Sequence, residues 1–137
     1  MDEHRTGSGE EAAIREIVED WASAVRKRDI RAILRNHAAD ILMFDVPPPF
    51  QSKGIEAYRK TWDLFFSWAP DPAVFDIKEM HITAGSDVAF VTAAMRCATR
   101  GAGGEDVELD FRLTIGLRKV DGKWVIVHEH HSVPADE

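Results

Sequence analysis

The sequence predicts an α+β fold in which helices come first and long strands follow. Three segments with apolar residues at helical spacing fill the first half of the chain, and four strand-like segments fill the second half. The predicted strands are about 11–14 residues long. Flat strands of this length would splay away from the helices, so we expect a strongly curved sheet with the helices on one face.

The length and composition fit one globular domain. The chain has 137 residues, of which 45% are hydrophobic and 30% are charged, and this is enough to bury a single core. We predict one domain over residues 10–134, with a flexible N-terminal tail at 1–9 and a C-terminal tail at 135–137.

The net charge and the cysteine content exclude some binding partners and indicate the cellular compartment. The net charge of −7 argues against nucleic acid, because phosphate binding requires a basic surface. We expect no membrane span, because no run of about 18 apolar residues occurs, and the polar, acidic N-terminus is unlike a signal peptide. A single cysteine, Cys97, excludes an intrachain disulfide, so we expect a cytoplasmic protein.

Two helices are predicted at the N-terminal end. From Glu10 to Arg28, apolar residues recur at helical spacing, while acidic residues open the segment and basic residues close it, as the helix dipole favours. Asp29 is a suitable N-cap for a second, short helix over residues 30–39.

A strand and a third helix follow. The segment DILMFDV, residues 40–46, is short and apolar and leads into three prolines, which predicts a strand and then a loop. Gly54 precedes the third helix, over residues 55–69, and Pro70 ends it. The apolar side of this helix is an aromatic stripe that includes Tyr58, Trp62, Phe65 and Phe66.

The second half of the chain has the two-residue period of strands. The four segments lie at 73–83, 87–100, 107–119 and 123–133. Turn signals rich in glycine and aspartate separate them, and Asp121-Gly122 is the sharpest hairpin signal. Consecutive strands joined in this way predict a four-stranded antiparallel meander.

Two segments carry a resemblance to a known family: DWASAVRKRDIRAILRNHAADILMFD and FRLTIGLRKVDGKWVIVHEHHSVP. With the order of the elements, they resemble the nuclear-transport-factor-2-like superfamily, a cone-shaped, cystatin-like fold also called SnoaL-like or ketosteroid-isomerase-like. The C-terminal segment is also similar to the calcium/calmodulin-dependent kinase association domain. The resemblance implies three helices on the concave face of a curved antiparallel sheet, and a deep, mostly apolar pocket for a small molecule. The predicted aromatic wall of that pocket includes Trp21, Phe44, Trp62 and Phe66.

The ketosteroid-isomerase pattern implies a candidate base in an incomplete active site. Asp45 matches the position of the family's catalytic carboxylate, which moves a proton between carbon atoms. Trp21 stands at the position of the family's tyrosine, and the position of its protonated aspartic acid falls near Thr114. Neither residue is an acid that could polarise an enone. We therefore expect that the chain is not a true ketosteroid isomerase.

A histidine-rich cluster, HEHH, lies in the last predicted strand, whose alternation divides it between two faces. By resemblance, Glu129 and His131 point into the pocket, and His131 is a second candidate base. Arg112, together with Arg96, would complete a polar floor that binds a carboxylate. A structural ion pair of Arg112 with Glu129 or Asp110 is the alternative.

The resemblance and the apolar pattern disagree about the neighbouring strand. The resemblance places Asp110, Arg112 and Thr114 inward. The apolar face of the same strand is formed by Phe111, Leu113, Ile115 and Leu117. Both faces would be satisfied if a second subunit covered the outer one, so we predict a homodimer or a higher assembly.

On that outer face, His128 and His130 are expected at the subunit interface. They could also supply two metal ligands, but zinc requires three or four, and we predict neither a metal nor a cofactor.

Two functions remain open. The first is a cofactor-free isomerase, cyclase or dehydratase that uses Asp45 and His131 for proton transfer on a small carbonyl- or carboxylate-bearing molecule. The second is a non-catalytic ligand-binding or oligomerisation module of the same fold.

Overall fold

The computed structural model describes residues 2–70, 74–100, 104 and 106–135. Over these residues the elements are α1 (Asp2–Arg26), α2 (Ile30–Ile33), β1 (His37–Phe44), β2 (Ser52–Lys53), α3 (Ile55–Trp68), β3 (Val74–Ala84), β4 (Val88–Arg100), β5 (Asp106–Glu108), β6 (Phe111–Val120) and β7 (Lys123–Ser132). The α+β class and the order of the main elements are therefore as predicted. No helix in this part of the chain is long and apolar enough to cross a membrane.

The second helix is shorter than predicted. Asp29 caps it as expected, since its Oδ1 accepts a hydrogen bond from the backbone N–H of Ala32 at 3.2 Å. The helix ends early, and Asn36 adopts a left-handed φ of 62°, a conformation through which a right-handed helix cannot continue. Strand β1 therefore begins at His37, inside the stretch that apolar spacing assigned to the helix.

The sheet has the strand order β2-β1-β7-β6-β4-β3, and β5 pairs with β4. Strands β3, β4, β6 and β7 form the predicted antiparallel meander. Three features were not predicted: β2 pairs antiparallel with β1, the segment at 107–119 is divided between β5 and β6, and β1 pairs parallel with β7. The parallel pair brings the beginning of the sheet beside its C-terminal strand.

Strand β6 turns its apolar residues towards the helices. Its buried residues are Phe111, Leu113, Ile115 and Leu117. Asp110, Arg112 and Thr114 are exposed. The inward placement of these three polar residues is therefore wrong, and the apolar pattern alone identified the core face correctly.

A β-bulge in β7 explains how a polar pair can share that core face. The bulge makes Val127 an extra residue in the pairing with β6. Ile126 comes before the bulge, Glu129 and His131 come after it, and all three are buried. Strict alternation would place Ile126 and Glu129 on opposite faces, so the bulge puts the polar pair on the inner face next to the apolar core.

Aromatic side chains join the helices to the concave side of the sheet. The ring centroid of Trp62 on α3 lies 5.8 Å from that of Trp21 on α1. It lies 6.1 Å from the ring centroid of Phe75 on β3. Both contacts are edge-to-face, an arrangement that adds about 0.5–1.5 kcal/mol per pair beyond the burial of apolar area. Through this cluster α1 and α3 pack against each other and against β3.

Candidate functional site

A cavity of about 220 Å³ lies between α3 and the concave side of the sheet. It is lined by Met43, Asp45, Val46, Pro47, Thr61, Trp62, Leu64, Phe65, Trp68, Phe75, Cys97, Leu109, Phe111 and His131. The ionisable groups in this wall are Asp45, His131 and the thiol of Cys97. Sites for drug-sized ligands are usually about 300–1,000 Å³, so this cavity suits a smaller molecule.

The parallel pairing of β1 with β7 brings Asp45 and His131 together. Phe44, the last residue of β1, is in register with His130 in the parallel pair. The residues that follow them, Asp45 and His131, therefore lie side by side. The Nδ1 atom of His131 lies 3.7 Å from Oδ1 of Asp45. Both predicted catalytic residues therefore face one cavity.

Glu129 lies behind His131 and accepts hydrogen bonds from three residues. Its Oε1 is 3.1 Å from Nε2 of His131, and its Oε2 is 2.7 Å from Nε2 of His37. The hydroxyl of Tyr58 donates to the same Oε2 at 2.8 Å. Burial raises the pKa of Glu129, but the hydrogen bonds from His131 and His37 outweigh it and lower the pKa to about 2. Glu129 is therefore a carboxylate at neutral pH.

Tyr58 is a neutral donor in this cluster. Burial raises its pKa well above the usual value, and the charge of Glu129 raises it further. The Nε1–H of Trp21 donates to the Tyr58 hydroxyl at 3.2 Å. Trp21 was predicted in the pocket wall, but it is hydrogen-bonded to the group of Tyr58, Glu129 and the histidines behind that wall.

The ring of His131 is held between aromatic neighbours. Its centroid lies 5.1 Å from that of Phe111 and 6.1 Å from that of Trp62. With Nε2 bound to Glu129, the ring has little freedom to rotate, so Nδ1 is held at the cavity beside Asp45. This arrangement can accept or deliver one proton at a fixed position.

Of the seven predicted ligand-binding residues, only Trp62 lines the cavity. Trp21 and Glu129 lie behind its wall, and the other four lie elsewhere. Phe66 is buried on α3 against Trp62 and Phe65. Phe44 packs edge-on against His128 and His130 on the outer side of the sheet. The remaining two, Arg96 and Arg112, are exposed.

The arginines bind elsewhere. Nε of Arg112 donates to the hydroxyl of Ser132 at 3.1 Å, and Nη2 of Arg96 lies 3.8 Å from Oε2 of Glu108. The polar floor predicted from them is therefore wrong, and so is the alternative ion pair between Arg112 and Glu129. Glu129 finds histidine and tyrosine partners instead.

Sequence reasoning missed His37 and Tyr58 as members of the site. The sequence predicts Tyr58 only as part of the aromatic stripe of the third helix, and His37 only as a residue of the second helix. Their partner Glu129 is 92 and 71 residues away in the chain, respectively. A signal for this contact would have required knowing that β1 pairs with β7.

His128 and His130 lie on the outer side of the sheet. Their ring centroids are 6.3 Å apart, and Nδ1 of His128 is hydrogen-bonded to the carbonyl oxygen of Leu42 at 2.7 Å. Within the described part of the chain, no group of three or more potential ligands is placed to hold a metal ion. Their role at a subunit interface stays a prediction.

Comparisons with known proteins agree with the fold. A family model described as a SnoaL-like domain matches residues 14–136. The structure of an NTF2-like protein of unknown function from Pseudomonas putida is 32% identical, with a TM-score of 0.83, over 94% of this chain and 89% of that one. Comparison with the curated proteins finds no match.

Two further solved structures share the fold at lower identity. A candidate dehydratase of the NTF2-like family from Streptomyces avermitilis is 15% identical, with a TM-score of 0.79, over 90% of this chain and 97% of that one. A ketosteroid isomerase-like protein from Erwinia carotovora atroseptica is 22% identical, with a TM-score of 0.75, over 90% of this chain and 96% of that one.

Proposed function

The chain belongs to the SnoaL-like family, and on that premise we propose that it is a cofactor-free enzyme that transfers a proton within a small, mostly apolar organic molecule. The molecule bears a carbonyl or carboxylate group, and the reaction is an isomerisation, a cyclisation or a dehydration. The observation that carries this proposal is the pair of Asp45 and His131, whose Oδ1 and Nδ1 atoms lie 3.7 Å apart in a mostly apolar cavity.

His131 is the base. Because its Nε2–H is bound to the carboxylate of Glu129, the lone pair is on Nδ1, at the cavity. Nδ1 takes a proton from the carbon next to the carbonyl group, and the electron pair of that C–H bond moves to the carbonyl oxygen. The imidazolium that forms has a carboxylate at each nitrogen, Glu129 on one side and Asp45 on the other, and this stabilises it.

The return of the proton completes the reaction. If the proton is delivered to another carbon, the product is an isomer. If it is delivered to a leaving hydroxyl, that group departs as water and the reaction is a dehydration. Between the two steps the proton stays on His131, and the negative charge of Asp45, 3.7 Å from Nδ1, stabilises the imidazolium. No oxidant or reductant is required in either case.

The C–H bond of the substrate must be acidic without help from the protein. Among the described residues that line the cavity, no arginine or tyrosine is available to polarise the substrate oxygen. We therefore expect a C–H bond that is already acidic, such as one next to a ketone or between two carbonyl groups.

A ligand-binding module without catalysis is the second candidate, and the apolar character of most of the cavity wall favours it. Such a module would bind the same small molecules and leave their C–H bonds intact.

Exchange of α-protons for deuterium separates the two functions. A panel of small apolar ketones and keto acids is incubated with the protein in D₂O and followed by NMR. We expect exchange that falls about 10²–10⁴-fold in His131→Gln, because general acid–base groups contribute that much. The matched control is His130→Gln, the same substitution on the exposed outer face, which should exchange at the original rate. Binding with no exchange in any compound would favour the binding module, and unchanged exchange in Asp45→Asn would remove Asp45 from the reaction.

A further inference from the structure

We propose that His37 is a buried imidazolium at neutral pH and that its charge keeps His131 neutral, with a free lone pair on Nδ1. His37 is thereby a positioning residue that sets the protonation state of the base. The consequence for turnover rests on the proposed function, whereas the assignment of protons does not.

The hydrogen bonds of His37 require two protons on its ring. Nδ1 lies 2.7 Å from the carbonyl oxygen of Arg35, and Nε2 lies 2.7 Å from the carboxylate oxygen Oε2 of Glu129. Nε2 is also 3.1 Å from the hydroxyl oxygen of Tyr58, which gives its own proton to Glu129 and so can only accept from His37. A carbonyl oxygen and a carboxylate oxygen only accept hydrogen bonds. Each ring nitrogen must therefore donate, and a histidine that donates through both nitrogens is positively charged.

This cation neutralises Glu129 inside the core. The side chains of His37 and Glu129 are both 0% exposed, and a buried carboxylate without an opposite charge is strongly destabilised. The third donor, Tyr58, is a neutral phenol and adds no charge. One carboxylate is therefore matched by one imidazolium, and electroneutrality does not require a second proton on His131.

The other groups that face His131 do not force a proton onto Nδ1. Oδ1 of Asp45 is 3.7 Å from Nδ1 of His131, which is longer than a hydrogen bond. The side chain of Asp45 is also 20% exposed to solvent. Its Oδ1 also accepts a hydrogen bond from the backbone N–H of Val46 at 2.8 Å. Across the cavity, burial raises the pKa of the Cys97 thiol to about 11, so that group is neutral.

Removing the charge of His37 should move it to His131. In His37→Gln, the amide nitrogen can still donate to Glu129 but is neutral. His131 is then the remaining imidazole bonded to that carboxylate, and it takes one proton from solvent to restore the balance. Its Nδ1 lone pair is lost, and with it the base.

The protons are counted directly by NMR of ¹⁵N-labelled histidine rings in the full chain at neutral pH. We expect His37 to carry protons on both nitrogens and His131 to carry one, on Nε2. A single proton on the ring of His37, or two on that of His131, would overturn the proposal. This measurement uses the unaltered protein, so it decides even if His37→Gln fails to fold.

The variants test the cause. In His37→Gln, His131 should become doubly protonated at neutral pH. The matched control is Tyr58→Phe, which removes a neutral donor from the same oxygen of Glu129 and should leave His131 singly protonated. If both variants changed His131 alike, loss of packing rather than loss of charge would explain the result, and the proposal would be wrong.

The pH dependence of the exchange rate distinguishes a positioning role of His37 from a merely structural one. At neutral pH we expect the rate of His37→Gln to be about 10²-fold below that of the unaltered protein, the lower end of what a general base contributes. The rate should recover as the pH rises, because His131 then gives up its extra proton. The same loss at every pH would overturn the proposal. If the NMR pattern is found but no compound exchanges, the enzyme assignment fails and the proton assignment stands.

Discussion

Glu129 places a negative charge where its side chain has no contact with water, at 0% exposure. Withdrawing a carboxylate from water costs several kcal/mol, and this cost is offset only when opposite charge and hydrogen bonds replace the water. The resemblance implied that Glu129 and His131 point into the pocket; both are buried, but only His131 lines the cavity. The sequence could not predict His37 as the counter-ion, because nothing near residue 37 in the chain indicates a partner 92 residues away.

We expect Glu129→Gln to lower the free energy of unfolding by about 3–5 kcal/mol at neutral pH, because it leaves a buried imidazolium without its carboxylate. The pKa of Glu129 is about 2, below the ordinary 4.5, so its stabilising contribution is present above pH 4.5 and is lost as the pH falls towards 2. The difference between the two proteins should shrink over that range in urea titrations.

The control for this change is Glu79→Gln. Glu79 also lies beside a histidine, His81, at 2.8 Å, but both side chains are about two-thirds exposed, at 67% and 71%. Its replacement should alter stability by less than about 1 kcal/mol. A difference for Glu129→Gln that stayed constant down to pH 3 would contradict the lowered pKa.

Among the elements, β7 and α3 determine the site. The bulge at Val127 lets one strand place both apolar and charged residues on the same inner face. Helix α3 divides its roles by side: Tyr58, Trp62 and Phe66 are its buried residues, while Leu64 is half-exposed at the cavity. Apolar spacing predicted the helix and its buried stripe, but a bulge of one residue leaves no such periodic signal.

Two substitutions on α3 should separate its structural side from its cavity side. Phe66→Ala removes a ring that is 8% exposed and should lower the free energy of unfolding by about 3–5 kcal/mol. Leu64→Ala removes a side chain that is 49% exposed and should lower it by less than about 1 kcal/mol. Urea denaturation followed by tryptophan fluorescence measures both, and equal effects would contradict the packing described for this helix.

At the scale of the whole molecule, the outer face of the sheet is mixed rather than apolar. Arg112, Thr114 and Arg118 are exposed there, together with Val88 and Phe90, which are 61% and 50% exposed. The apolar face of β6 is already covered by the helices, so it no longer argues for a second subunit. Assembly through the outer face stays a prediction. It now rests on Val88 and Phe90 of β4 and on His128 and His130 of β7.

Sedimentation equilibrium at micromolar concentration tests the assembly. We expect twice the mass of one chain, and dissociation in Phe90→Asp, because a charge at an apolar contact is costly to desolvate. Lys60→Asp, on the exposed side of α3, is the control and should leave the mass unchanged. A monomer in the unaltered protein would contradict the prediction.

The sequence by itself determined the fold class, the capped and aromatic helices and the meander, because these depend on periods of 3.6 and 2 residues and on turn residues that act locally. The family followed from the resemblance of two segments to known proteins. That resemblance also identified Asp45 and His131 as candidates. Only the tertiary structure decided what surrounds them. The parallel pairing of β1 with β7 joins His37 to Glu129, the bulge at Val127 turns Glu129 inward, and the arginines face outward. These outcomes depend on contacts between residues far apart in the chain and on a one-residue change of register, and local patterns carry no information about either.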